Sequence, residues 1–240
     1  MKVLAIDQGT TGTKAFTLDD QSHFNKIASF DHKQIYLQTG YVEHDAEELL
    51  AHIVQAIKKV GKVDAIGIAN QGETIVAWDK ETGKPVYNAI VWQDDRTKNI
   101  TEELKVSGAE GLTQFKAGLP LDPYFSASKF RWILDHVPEA RILLSAGRLR
   151  LGTSDSYFLD HLTGEFATDV TTASRTSLMS LDTFQWDDEL CGLFEVPKQC
   201  LPEIRATTGP FGAIGKTPVT ANLVDQQAAL FGHGDRKSVV

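Results

Sequence analysis

The sequence predicts an α/β domain. Two observations carry that expectation: short apolar strands broken by Gly and Asp come first, and strand-like and helix-like segments alternate after them. Residues 3–6 are an apolar run ended by Asp7 and Gly9, which reads as a buried strand entering a turn. Residues 14–18 resume extended character until Asp19 and Asp20, so the pair predicts a β-hairpin. Residues 34–36 read as another strand. Asp45 is a good helix cap, and Glu48 three residues later completes the pattern of a capping box. Leu49, Leu50, Ile53, Ile57 and Val60 follow at helical spacing, with Lys58 and Lys59 in the last turn, predicting a helix over 46–59.

Residues 63–69 read as a second buried strand, and 74–78 and 86–92 as further strands around the turn at Gly83. Helices are predicted over 97–105, 126–136, 138–146 and 154–162, the last stopped by Gly164, and a short one over 187–194. Residues 209–212 (Gly-Pro-Phe-Gly) are a loop. There is no internal repeat.

The chain has 240 residues, enough for one large domain or two small ones. Hydrophobic residues make up 42% and charged residues 23%, the balance of a soluble globular protein. The formal charge is -8, from 24 Lys and Arg against 32 Asp and Glu. With no basic run, this argues against a nucleic-acid partner. A phosphate ligand stays compatible, because backbone amides and one Lys can bind it. Cys191 and Cys200 form no CxxC pair, so a metal cage is not expected and reduced cytosolic thiols are. The apolar start is too short for a signal peptide. No run approaches the roughly 20 apolar residues that span a bilayer, so no membrane partner is expected and a cytoplasmic location is.

Two motifs carry chemistry. In Asp7-Gln8-Gly9-Thr10-Thr11-Gly12-Thr13-Lys14, the glycines allow positive φ and close backbone approach. Thr10, Thr11 and Thr13 offer hydroxyls, and exposed amides with Lys14 make an anion site. A plain Gly/Thr hairpin is the alternative. In Asp225-Gln226-Gln227, a carboxylate opens a helical apolar stretch, where it can be a base or simply the helix cap. Glu73 can accept hydroxyl protons and Tyr124 can cover an apolar carbon face; a surface Glu and a core Tyr are the plainer readings.

Seven strings, in order, point to a family: the Asp7–Thr13 turn, Gly40-Tyr41-Val42-Glu43-His44-Asp45, Asn70-Gln71-Gly72-Glu73-Thr74, Trp92-Gln93-Asp94-Asp95-Arg96-Thr97, residues 118–126, Ala173-Ser174-Arg175-Thr176, and residues 225–232. The chain resembles the FGGY carbohydrate kinases, and among them the glycerol-phosphorylating branch. The resemblance implies an actin-like, ribonuclease H-like fold, in which two lobes face each other across a cleft. It implies polyol mainly on the first lobe and ATP mainly on the second, with this chain as the first lobe, residues 1–234.

By resemblance, Asp225 is the general base, and Glu73, Tyr124, Asp225, Gln226 and the place of Gly72 meet the substrate. Thr10, Thr11, Gly12, Thr13 and Lys14 meet the phosphates of ATP, and Asp7 holds Mg²⁺ through water. Two departures stand out. The family commonly has Arg at Lys14, and Lys keeps the charge without the bidentate fork. The glycerol branch usually has Arg at Gly72, so a roomier, less cationic pocket is expected there. Trp92 and residues 94–96 shape the cleft wall or form core and surface, and His44 and His233 read as structural. Residues 173–176 are a turn near the site, with Arg175 a candidate contact.

Residues 235–240 do not resemble the family. One back-translation, GATCGGAAGAGCGTCGTG, continues into an adapter sequence used in short-read sequencing, so a non-native tail is expected. Without the second lobe, negligible turnover by this chain alone is expected, and by resemblance the intact enzyme is a homo-oligomer. The expected reaction is ATP-dependent phosphorylation of a terminal hydroxyl of glycerol or a related polyol. The alternatives are a kinase for erythritol, xylulose or gluconate, or a non-catalytic polyol-binding module.

Overall fold

A computed structural model describes residues 1–21 and 23–234; the expected non-native tail, 235–240, lies outside them. The chain opens with the predicted hairpin. Strand β1 (Lys2–Gln8) pairs antiparallel with β2 (Gly12–Asp19), setting Asp7 opposite Lys14. β3 (Phe24–Asp31) adds to the far side of β2 and was not anticipated. Its residues are mostly exposed, so it shows no apolar alternation. β4 (Gln34–Ile35) and β5 (Glu43–His44) lead into α1 (Ala46–Lys59). There Asp45 Oδ1 accepts from the backbone N–H of Glu47 and Glu48 at 2.9 and 3.2 Å, which holds two of the four unpaired donors of a helix start. Leu49, Ile53 and Ala56 face inward, as their spacing requires.

β6 (Ala65–Asn70), β7 (Ile75–Asp79) and β8 (Ala89–Ile90) follow. The strand expected over 86–92 shrinks to two residues. Val86 still donates to Ala77 of β7 and Val91 donates to Val42, but only as single bonds outside a strand ladder. Helices α2 (Lys98–Val106), α3 (Glu110–Ala117), α4 (Ser126–His136) and α5 (Pro138–Ser145) come next, α3 being unanticipated. Then come β9 (Leu149–Thr153), α6 (Ser154–Thr163), β10 (Ala167–Asp169), α7 (Val170–Ala173) and α8 (Asp188–Leu193). The chain closes with β11 (Glu203–Arg205), β12 (Ala213–Ile214), β13 (Thr217–Val224) and α9 (Asp225–His233).

The larger sheet has the order β12-β13-β6-β1-β2-β3, with β13, β6 and β1 parallel to one another. The second sheet has the order β4-β5-β8-β7-β9. Strand β7 is buried along its whole length and divides two cores. Val76 and Trp78 pack with Leu4, Ile53 and Phe158, whereas Ile75 and Ala77 pack with Phe130 and Leu151. The two-residue period of a strand sends alternate side chains to opposite cores. Among the described residues no helix is long and apolar enough to cross a membrane.

Candidate active site

The three parallel strands end side by side. Asp7 of β1 is in register with Ala69 of β6, and Ala69 with Leu223 of β13. The chain just beyond these ends carries Glu73 and Asp225. Carboxyl ends of parallel strands are where open α/β sheets bind ligands, because the loops there diverge and leave a crevice. Here Asp7, Ala69, Asp225, Gln226, Ala228 and Ala229 line a depression of about 500 Å³.

Asp225 is not the cap of α9, as its sequence position allowed. Val224 is the cap, and Asp225 is the first helical residue, its Oδ1 accepting from the Gln226 N–H at 2.7 Å. Partial burial pushes its carboxyl above the ordinary range. The Gln226 N–H opposes that shift, and the negative charges of Glu73 and Asp7 add to it. Asp225 thus sits at one end of the sheet with two further carboxylates near it, and a raised carboxyl is a better proton acceptor near neutral pH.

Glu73 is buried, not a surface residue, and its Oε1 accepts from Arg175 Nε at 2.7 Å. Tyr124 is half-buried, with its ring 5.5 Å from Trp92, and its hydroxyl accepts from Gln226 Nε2 at 3.3 Å. Burial and the Glu73 charge raise the Tyr124 phenol, so it stays neutral. The loop carrying Tyr124 is fixed from below. Lys129, fully buried, donates through Nζ to the carbonyls of Pro123, of Tyr124 at 2.8 Å and of Phe125 at 3.2 Å.

The β1–β2 turn needs two corrections. Neither Gly9 nor Gly12 has positive φ. Gly12 is required by close approach, since a Cβ there would stand 2.6 Å from the Phe30 carbonyl oxygen. Thr13 is fully buried and its Oγ1 bonds His32 Nε2 at 3.1 Å, so its hydroxyl faces the core and not a ligand. Thr10 accepts from Trp92 Nε1 at 2.7 Å and keeps its own proton to donate; Thr11 and Lys14 are exposed. His32 carried no signal in the sequence beyond being a lone histidine.

The pocket beside Gly72 is not roomier. A Cβ on Gly72 would overlap Val224 Cγ2 and touch Arg175 Cγ at 3.6 Å, so Val224 already fills that space. The Arg175 guanidinium stands nearby on Glu73. Arg96, by contrast, is structural. It is buried between Glu43 and Asp94 at 2.7 Å each, with its guanidinium over Tyr41 at 3.9 Å. His44 is buried, as expected. His233 closes α9.

A larger apolar groove of about 880 Å³ lies on the other face of α9, lined by Leu223, Gln227, Leu230 and Phe231 among others. Residues 227, 230, 231 and 234 share one helix face while 225, 228 and 229 turn toward Asp7. Among the described residues no ionisable side chain lines the groove, and Asp7 and Asp225 line the smaller depression.

Residues 2–232 match the FGGY family of carbohydrate kinases, N-terminal domain. The chain belongs to the FGGY family of carbohydrate kinases. It is 45% identical to the glycerol kinase of Burkholderia multivorans, the match covering 96% of this chain and 49% of that protein. The glycerol kinase of Koribacter versatilis is likewise 45% identical, with the same coverage. The crystal structure of Plasmodium falciparum glycerol kinase with ADP superposes with a TM-score of 0.89 at 34% identity, covering 97% of this chain and 50% of that one. A xylulose kinase from Lactobacillus acidophilus has a TM-score of 0.87 at 23% identity, a likeness of fold alone. The chain therefore has the actin-like fold of the FGGY kinases, and it spans about half the length of the curated relatives it matches.

Proposed function

We propose that this FGGY chain is the polyol-binding half of an ATP-dependent kinase that phosphorylates a terminal hydroxyl of glycerol or a related polyol. The observation that carries the reading is the meeting of Asp7, Glu73 and Asp225 at the carboxyl ends of three parallel strands, with Asp225 raised by burial and by the other two. Phosphoryl transfer needs an attacking hydroxyl held in line and a carboxylate to take its proton. Asp225 is the proton acceptor in this reading. Tyr124 covers the carbon face of the polyol, and Gln226 orients the Tyr124 hydroxyl.

The Thr10 and Thr11 hydroxyls, the amides around Gly12 and the exposed Lys14 form the side that meets phosphate; Thr13 only anchors the turn. A divalent cation fits Asp7. Asp7 lines the depression beside Asp225, and Mg²⁺ is an ion held by few carboxylates and its own waters. When bound, the ion would neutralise charge on the transferred phosphoryl group.

Glycerol-dependent ADP release tests the reading. The chain joined to the remaining half of the Burkholderia multivorans relative is expected to turn over, and Asp225→Asn to lower kcat by roughly 10²- to 10⁴-fold. A joined protein that binds glycerol yet turns over equally with Asn at 225 would overturn the role of Asp225.

A further inference from the structure

Arg175 sits in the site without a role in the reading above. Its Nε is held by Glu73 Oε1 across 102 residues of sequence. Its guanidinium carbon lies 5.1 Å from the Phe125 ring centroid and 5.8 Å from that of Tyr124. The side chain is 21% exposed while its Glu73 partner is 3% exposed, so the fork reaches solvent from a buried anchor. Its stem runs beside residue 72, with Cγ 3.6 Å from where a Cβ on Gly72 would stand. A guanidinium has five N–H donors, and Glu73 takes one. Tyr124, beneath it, is bonded to Gln226, which lines the Asp7–Asp225 depression.

The charges around the depression are unequal. Asp7, Glu73 and Asp225 supply three carboxylates; Arg175 pairs with Glu73 and Lys14 stands opposite Asp7 in the β1–β2 ladder, which leaves the sum negative by the Asp225 charge. A ligand with its own carboxylate would meet uncompensated negative charge, whereas a neutral polyol offers hydroxyls that both accept and donate.

We propose that Arg175 is a substrate-binding residue: it donates to a hydroxyl of the polyol and is aimed by Glu73, in a site that takes a neutral polyol rather than a sugar acid. This rests on the proposed polyol site and adds a residue and a charge selection to it. Arg175 is the donor to oxygen and Asp225 the acceptor of a proton, so one polyol is gripped by opposite chemistries at its two ends.

The test is the affinity of the full chain for glycerol, 1,2-propanediol, 1,3-propanediol and glycerate, by ligand-detected NMR, in the wild type, Arg175→Gln and Arg175→Lys. The Gln variant is expected to bind glycerol roughly 10- to 100-fold more weakly, the worth of a hydrogen bond to a charged group. That loss should vanish for the propanediol lacking the contacted hydroxyl, which a merely structural role for Arg175 would not produce. Arg175→Lys keeps charge and stem and is expected to fall between the two; it serves as the informative variant if Gln at 175 unfolds the chain. Wild-type binding of glycerate is expected at least 10-fold below glycerol. Equal glycerol binding by wild type and both variants, an equal loss for all three neutral ligands, or glycerate binding as tight as glycerol would overturn the inference while leaving a polyol site in place. No polyol binding by the wild type would overturn the polyol site itself, and this inference with it.

Discussion

Trp92 Nε1 donates a 2.7 Å hydrogen bond to Thr10 Oγ1, tying the wall that meets Tyr124 edge-on to the β1–β2 turn. The two residues are 82 apart in sequence, so this one bond joins the two sides of the proposed site. Trp92→Phe keeps the ring and removes the donor. Amide exchange at residues 9–12 is expected to quicken about 5- to 10-fold, the worth of a neutral hydrogen bond of about 1 kcal/mol. Unchanged exchange would show that the turn is held without Trp92.

Arg96 is buried against two carboxylates whose side chains are as fully buried as its own. Arg96→Ala would leave Glu43 and Asp94 buried and unpaired. A loss of about 3–5 kcal/mol in urea unfolding is expected, with Arg96→Lys also costly because Lys has no planar fork to bridge both acids.

Lys129 positions Tyr124 through three backbone carbonyls. Lys129→Met fills a similar volume and leaves those acceptors without their donor. We expect about 2–3 kcal/mol less stability and a measurable fall in glycerol affinity, because the Tyr124 loop loses its anchor. Loss of stability with unchanged affinity would place Lys129 in the core alone.

Acid should loosen the fold through two histidines. Burial lowers His32 to about 4, with the charges of His44 and His52 adding to it, and burial lowers His44 to about 4. An unfolded histidine titrates near 6.5. Between about pH 6.5 and 4 the unfolded chain therefore binds protons that the folded chain refuses, and stability falls with pH. The slope is on the order of 1 kcal/mol per pH unit for each histidine. Urea unfolding at pH 7.5 and pH 5 measures it, and a His32→Gln, His44→Gln protein is expected to show a flatter dependence.

The sequence made the hairpin, α1 and α4 legible because their signals are local: a cap at Asp45, helical spacing of Leu49 and Ile53, and breakers around residues 126–136. Strand β13, which delivers Asp225, was hidden by Pro218 and the polar Asn222. Asn222 is buried because its Nδ2 bonds Asp155 Oδ2 at 2.7 Å, a tertiary fact. The same holds at the site. Asp7, Glu73 and Asp225 were legible as motifs. That Thr13 turns inward to His32, that Val224 fills the space beside Gly72, and that Arg175 bonds Glu73 depend on contacts between distant segments that no local spacing encodes.

The most direct test of the polyol site is a glycerol titration of the isotopically labelled full chain, read residue by residue by NMR. The account predicts shifts confined to the Glu73, Tyr124, Arg175, Asp225 and Gln226 cluster and its neighbours. Shifts confined instead to the Leu230–Phe231 groove, or none at saturating glycerol, would contradict it.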